Sequence, residues 1–307
     1  MIIDLVGYTG FVGSNLNIAN CFTHLYNTQN INESYGTNPD ILVYAGVTGT
    51  KYIANSNPGK DAAIIKSAID NIIKIKATKL VLISTIDVYE RPEGLTEDNE
   101  ATSQESFVYG YHRSELENWV RNNVSDYHII RLPGIYGKNL KKNFIYDLSN
   151  PIPNVLNAQK YSFFAEKSEI IKQSYAIGPD GFYHINGSTD IKGEALYSEF
   201  KRMCFTALNF TDSRGVFQYY NLKFLWNHIC KAIENNIKIL NIATEPFSIS
   251  ELYEFIYEKP FVNEICDNPP YYNFKTKYAE LYGGNNGYIF SKEEVMNDIK
   301  EFIGEKR

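Results

Sequence analysis

Three glycines, Gly7, Gly10 and Gly13, stand three apart directly after an apolar run at residues 1–6. Strand, glycine turn and helix in that order let a backbone turn tightly and approach a pyrophosphate. The helix start adds free N–H donors and the positive end of its dipole. Such turns also join strands to helices for packing alone, but placement at residue 7 favours nucleotide binding. A second group of reactive side chains is Ser84-Thr85-Ile86-Asp87-Val88-Tyr89, which ends an apolar run and puts two hydroxyls at a strand's carboxyl end. A third is Tyr109-Gly110-Tyr111-His112-Arg113, in which Tyr109 and Arg113 are four apart and share a helix face. A fourth, Arg131-Leu132-Pro133-Gly134-Ile135-Tyr136-Gly137, ends another apolar run.

Positioning these groups needs a parallel α/β sheet, and the first half of the chain alternates accordingly. Short apolar runs at 1–6, 23–26, 41–45, 79–84 and 128–132 read as strands. The stretch 61–76 carries Ile64, Ile65, Ala68, Ile69, Ile72, Ile73 and Ile75 as one helical stripe. A second helix is expected at 108–122 with Leu116, Trp119 and Val120 inward. Beyond Gly137 the alternation becomes irregular and Asn, Tyr, Phe and Lys dominate. A helix at 219–235, a strand at 238–243 and capping boxes at Ser248…Glu251 and Ser291…Glu294 follow. The expected fold is a doubly wound, Rossmann-type parallel sheet with a smaller α/β substrate lobe. Residues 1–138, with a later segment at about 212–236, form the dinucleotide-binding domain; 139–211 and 237–307 form the lobe.

At 307 residues, with 44 % hydrophobic and 21 % charged residues, the chain has the composition of a globular enzyme. Net charge is −6, with no basic tract, which disfavours nucleic acid and anionic membranes as partners. No apolar run approaches the roughly 20 residues of a spanning helix. The N-terminus has no basic region before its apolar run, so a signal peptide is not expected. Cys21, Cys204, Cys230 and Cys266 lie far apart, with no metal or disulfide spacing. These features predict a cytoplasmic protein that binds small molecules and no metal. Where a dinucleotide fold often places an acid to hold the adenosine ribose, this chain has Tyr26-Asn27-Thr28-Gln29-Asn30, so NAD and NADP are both admissible.

The ordered set of N-terminal GxxGxxG, a strand ending in Ser/Thr with Val88-Tyr89 close behind, the Tyr109-Gly110 helix start and Arg131-Leu132-Pro133…Tyr136-Gly137 resembles the extended short-chain dehydrogenases/reductases, or NAD-dependent epimerase/dehydratases. The likeness covers roughly the first 140 residues and is nearest the sugar-nucleotide reductase branch. It implies an NAD(P)-dependent oxidoreductase or epimerase acting on a hydroxyl or ketone of a sugar-like substrate, with the nucleotide link left open because Gly134 stands where many sugar-nucleotide members carry an asparagine. The resemblance makes Tyr109 the proton donor and Thr85 the hydroxyl that polarises the substrate oxygen, with Ser84 as the fallback. A phenol titrating near 10 needs nearby positive charge to act as a base. The family's lysine does this; here the position is Arg113, which keeps the charge in a longer, planar form. The resemblance places the cofactor against Gly7, Thr9, Gly10, Phe11, Val12 and Gly13. Further cofactor contacts fall to Asn27 and Thr28, to Tyr44, Ala45 and Gly46, and to Ser84, Tyr109, Arg113 and Pro133. Asp87 stands near the dehydratases' acidic pair, but Ile86 occupies its partner position, which disfavours dehydration. Asp87 is therefore either a substrate contact or a turn residue. Lys141, Lys142 and Arg214 are the candidates to meet a substrate diphosphate, the alternative being a solvated charge cluster. His112, Tyr183 and His184 are secondary candidates beside a solvated reading. Many members of the family dimerise through paired helices; here 61–76 and 108–122 are the candidate pair for a homodimer, though their exposed faces carry no clear apolar stripe. A second reading, from another class, is a non-catalytic NAD(P)-binding sensor or scaffold, because Arg113 departs from the family pattern.

Overall fold

The computed structural model describes residues 1–101, 104–186 and 193–304. Two compact units are present: Met1–Leu140, Val216–Ser248 and Pro270–Asp298 form the first, and Lys141–Gly215, Ile249–Pro269 and Ile299–Arg307 the second. Among the described residues no helix is long and apolar enough to cross a membrane.

The first unit is built on six parallel strands: β1 (Ile3–Val6), β2 (His24–Tyr26), β3 (Ile41–Tyr44), β4 (Lys79–Thr85), β5 (Tyr127–Leu132) and β6 (Ile239–Asn241). Their order is β6-β5-β4-β3-β1-β2, so the chain steps one way from β1 to β2 and then back past β1 to β3. That reversal opens a crevice at the carboxyl ends of β1 and β3, the place where open α/β sheets bind ligands. Helices α1 (Phe11–Leu16), α2 (Lys51–Ser56), α3 (Pro58–Ile75), α4 (Val108–Asn123) and α5 (Leu225–Glu234) connect and cover the sheet. Strand alternation splits the core in two. Val81, Ile130, Leu5 and Val43 pack on one face with Leu225 and Ile229, while Leu80, Leu82, Leu42 and Ile129 pack on the other with Ile65, Ile72, Leu116 and Val120. Because both faces are covered, the strands read as continuous apolar runs.

Local signals explain the element ends. Asn57 accepts from the Lys60 N–H and Pro58 occupies the first turn, so α3 starts three residues before its apolar stripe. Ser291 and Glu294 cap the helix Lys292–Gly304 reciprocally. Two expectations differ from the structure. The helix expected from residue 219 begins at Leu225, because Tyr219–Asn221 instead pairs in parallel with Gly134–Tyr136. Residues 237–307 do not all fold with the second unit: β6 extends the sheet beside β5, and Pro270–Asp298 also belongs to the first unit. The apolar run 239–242 reads the same whether it completes a large sheet or starts a small one.

The second unit holds a three-stranded antiparallel sheet with Tyr183–Ile185 between Val155–Leu156 and Tyr175–Ile177. Its core joins Leu156, Ile171 and Leu196 to Phe164, Tyr175 and Phe200, the aromatic rings meeting edge to face.

Candidate functional site

The glycine turn is shaped by contacts that leave no room for side chains. Gly7 sits at φ 91°, and a Cβ there would lie 2.5 Å from the Ala45 carbonyl oxygen. A Cβ on Gly13 would lie 2.1 Å from the Gly7 carbonyl oxygen, so α1 can press its first turn against the turn only with glycine there. The Gly7 N–H donates to the Tyr26 carbonyl and the Gly10 N–H to that of Gly7. Gly10 caps α1 without a side chain, and no acid stands in the first turn. The N–H groups of that first turn have no intrahelical partner, so the cradle suits an anionic diphosphate. Asn15 fastens it from behind, donating to the carbonyls of Phe11 and Lys138 and accepting from the Lys138 N–H. At the end of β2, Asn27 accepts from the Gln29 N–H and Thr28 is exposed.

Thr85 ends β4 and caps the following turn by accepting from the Asp87 N–H at 3.2 Å. Its hydroxyl also lies 3.1 Å from Asp87 Oδ2. Tyr109, in the first turn of α4, stands next to the Thr85 hydroxyl, which would donate to its phenolate. Burial raises the Tyr109 phenol above its ordinary value; Asp87 adds to this, while Arg113, Lys51 and the Thr85 hydrogen bond oppose it. Phenol, hydroxyl and carboxylate therefore lie close together at the carboxyl end of β4.

Arg113 is not directed at open space. It is 4 % exposed and its guanidinium grips Asp61 bidentately, with donors also going to the carbonyls of Thr48 (2.6 Å) and Tyr109 (3.2 Å). Its Cζ lies 4.0 Å from the centroid of the Tyr109 ring. Burial alone would raise the Asp61 carboxyl, but hydrogen bonds from Arg113 and His112 hold it below the usual carboxylate range. His112 is thus a hydrogen-bond partner of Asp61 at 2.8 Å rather than a solvated residue.

Other expected residues are occupied elsewhere. Ser84 donates to Glu117, which a buried Arg131 holds from the other side, so its hydroxyl serves the core and Thr85 remains at the edge. Tyr44 is 3 % exposed, packs in the α3 and α4 core and accepts from Asn71, so only its neighbours Ala45 and Gly46 border the glycine turn. Pro133 is partly buried, and a Cβ on Gly134 would lie 2.9 Å from the Gln218 carbonyl oxygen, so a side chain there would force a shift. Arg214 is bound within the second unit by Asp212, Glu264 and the Cys266 carbonyl. Its donors are committed before any diphosphate arrives. Lys141 and Lys142 are exposed at the start of that unit. His184 pairs with Asp180, and the Tyr183 ring stacks on Tyr161.

Three residues of the site escaped sequence reasoning. Lys51, at the start of α2, donates to Asp87 Oδ1 at 2.7 Å, and the Tyr272 hydroxyl donates to the same oxygen at 3.0 Å. Desolvation alone would lower the Lys51 ammonium, but Asp87 and Tyr272 outweigh it and raise it above the usual lysine range. Asp61 had a signal: with Ile65, Ala68 and Ile72 it lies on the buried stripe of α3, a carboxylate heading an apolar face. Lys51 and Tyr272 had none, since neither neighbours the motifs in sequence.

A parallel sheet with its chain reversal beside a glycine turn defines a doubly wound, dinucleotide-type fold. No family model and no curated protein matches the sequence. Solved structures do match along the whole chain. The dTDP-4-dehydrorhamnose reductase of Bacillus anthracis, solved with NADP, is 16 % identical with a TM-score of 0.62, covering 99 % of each chain. A UDP-galactose 4-epimerase is 13 % identical with a TM-score of 0.60, again covering 99 % of each. A short-chain dehydrogenase/reductase superfamily protein of Agrobacterium tumefaciens with bound NAD is 13 % identical, with a TM-score of 0.59 and coverage of 99 % and 96 %. The chain has the extended short-chain dehydrogenase/reductase fold.

Proposed function

We propose that this protein is an NAD(P)-dependent reductase or epimerase that acts on a hydroxyl or keto group of a sugar-like, nucleotide-linked substrate. The carrying observation is that the Thr85 hydroxyl, the Asp87 carboxylate and the Tyr109 phenol lie close together at the carboxyl end of β4, on the sheet edge that also bears the glycine turn. Gly7, Gly10 and Gly13 with the first turn of α1 would hold the dinucleotide's diphosphate, and Ala45 and Gly46 would border it. When bound, the dinucleotide supplies or accepts a hydride. Tyr109, protonated at neutral pH because burial raises its phenol, donates a proton to the substrate oxygen. Thr85 orients that phenol, and the Arg113 guanidinium over the ring favours its anionic form. The fold shared with a reductase solved with NADP and with a short-chain dehydrogenase/reductase superfamily protein solved with NAD supports this reading.

NADPH or NADH is expected to raise the melting temperature of the wild type and of Tyr109→Phe alike. Reduction of a dTDP- or UDP-4-keto-sugar is expected to vanish in Tyr109→Phe only. Turnover that survives this substitution refutes the acid assignment. Failure of both dinucleotides to bind refutes the whole reading. The commitment of Arg113 to Asp61 supports a second reading, a non-catalytic NAD(P)-binding sensor or scaffold. Dinucleotide binding without hydride transfer, with activity gained by Arg113→Lys, would favour that one.

A further inference from the structure

The Tyr109 ring lies between two cations that reach it from different elements. Arg113 comes from the same helix, its Cζ 4.0 Å from the ring centroid. Lys51 comes from the start of α2, its Nζ 5.9 Å from the same centroid. The two cations differ in what balances them. Arg113 spends the four N–H bonds of its terminal nitrogens on the Asp61 carboxylate and on the carbonyls of Thr48 and Tyr109. Both ends of that pair are buried, so it is a fixed part of the α3–α4 contact. Lys51 is balanced by Asp87, whose Oδ1 accepts from the ammonium at 2.7 Å. The Tyr272 hydroxyl closes a triangle, accepting from Lys51 at 3.1 Å and donating to the same Asp87 oxygen at 3.0 Å. Asp87 Oδ2 takes the Thr85 hydroxyl proton at 3.1 Å, so this carboxylate accepts on both sides. The second pair stands nearer water, with the Lys51 side chain 51 % and the Asp87 side chain 18 % exposed.

An ion pair beside a phenol acts on it with two signs. A phenol that gives up its proton gains a negative charge, which a neighbouring carboxylate opposes and a neighbouring ammonium favours. We propose that Lys51 and Asp87 are positioning residues that act on the Tyr109 phenol with opposite signs, Lys51 cancelling the carboxylate that otherwise hinders proton donation. The proposal rests on the reading of Tyr109 as the proton donor. Arg113 does not supply this cancellation, because its terminal N–H groups are already taken. His112 on α4 and Asp61 on α3 also stand near the ring, but they are tied to each other and to Arg113. Tyr272 belongs to the triangle. Asp87 is therefore the carboxylate whose charge Lys51 answers. Burial raises the phenol, and among the charges Arg113 and Lys51 lower it while Asp87 raises it, in keeping with these positions.

The test is the titration of the Tyr109 phenol in the full-length, dinucleotide-free protein. A ring-fluorinated tyrosine placed at this position titrates at lower pH than tyrosine, and its ¹⁹F resonance reports that ring alone. Lys51→Met is expected to move the midpoint up by about 0.5–2 pH units, the Coulomb effect of a unit charge 5.9 Å away in surroundings between water and a protein surface. Asp87→Asn is expected to move it down, and Lys51→Arg, which keeps the charge, to titrate with the wild type. A merely structural role predicts a fall for both Lys51→Met and Asp87→Asn, since a loosened, wetter site eases ionisation of a buried phenol. Lys51→Met is also measured on the Asp87→Asn background, where no bare carboxylate is left to disturb the fold, and the upward move is expected again. A midpoint that stays or falls on loss of Lys51 in either background overturns the proposal, as does Lys51→Arg moving as far as Lys51→Met. Because no dinucleotide is present, failure of NADPH and NADH to bind would overturn the proposed function and leave this result standing.

Discussion

Replacing Arg113 with Met tests whether the position has become a structural anchor. The side chain is 4 % exposed and makes two hydrogen bonds to Asp61 and two to backbone carbonyls, joining α4 to α3 and to the segment after β3. Its loss strands the Asp61 carboxylate, itself 3 % exposed, with His112 as its remaining partner. Removing one member of a buried pair costs about 3–5 kcal/mol, mostly the penalty of the charge left behind. Asp61→Asn keeps an oxygen for the guanidinium and should cost less, about 2–3 kcal/mol. The double variant Arg113→Met/Asp61→Asn leaves no uncompensated charge. It should be more stable than the sum of the single effects predicts by at least about 2 kcal/mol, because neighbours in one network are not additive. Urea unfolding of the four proteins, with m-values compared so that a change in denatured-state compactness is recognised, closes the cycle. Single substitutions that cost under about 1 kcal/mol, or that add within about 0.5 kcal/mol, would show that the pair is not an anchor.

Gly13→Ala places a methyl group 2.1 Å from the Gly7 carbonyl oxygen. The turn must open, and the thermal shift given by NADPH should vanish while far-ultraviolet circular dichroism stays that of the wild type. His228 is expected to govern part of the acid sensitivity, because burial lowers its value to about 4 from 6.5. Between those values the unfolded chain binds the proton and the folded one does not. The stabilisation from keeping His228 neutral is therefore complete above pH 6.5 and is lost as pH falls toward 4. His228→Gln should flatten that part of the stability profile measured by chemical denaturation. Asp61 acts at lower pH with the same sign: its carboxyl is held below 3.8, so its contribution is present above that value and is lost as pH falls through the folded-state value. Asp61→Asn should remove this acid limb.

Much of the first unit was legible in the residues. Buried parallel strands announce themselves as unbroken apolar runs, as at 79–84 and 128–132, and the glycine spacing after residue 6 marks a turn whose backbone excludes side chains. The Thr85, Tyr109 and Arg113 positions were equally visible, because strand ends and helix turns bring residues near in sequence to one edge. Less legible were the partners that decide what those groups do. Nothing local distinguishes Ser84 from Thr85; only the alternation of β4 sends one hydroxyl to Glu117 in the core and leaves the other at the edge. The strand Tyr219–Asn221 hid inside an apparent helix because its pairing partner, Gly134–Tyr136, lies some eighty residues away.

The amino-acid order by itself determined the sheet class, the glycine turn and the place of the Tyr109 phenol in the first turn of a helix, since each depends on short-range pattern and backbone sterics. Tertiary structure alone decided that Arg113 belongs to Asp61, that Arg214 belongs to Asp212, and that Lys51 comes to Asp87 from thirty-six residues away. A charge's role is set by whichever opposite charge shares its desolvated surroundings, and that neighbour is chosen by the packing of helices and loops on the sheet rather than by proximity along the chain.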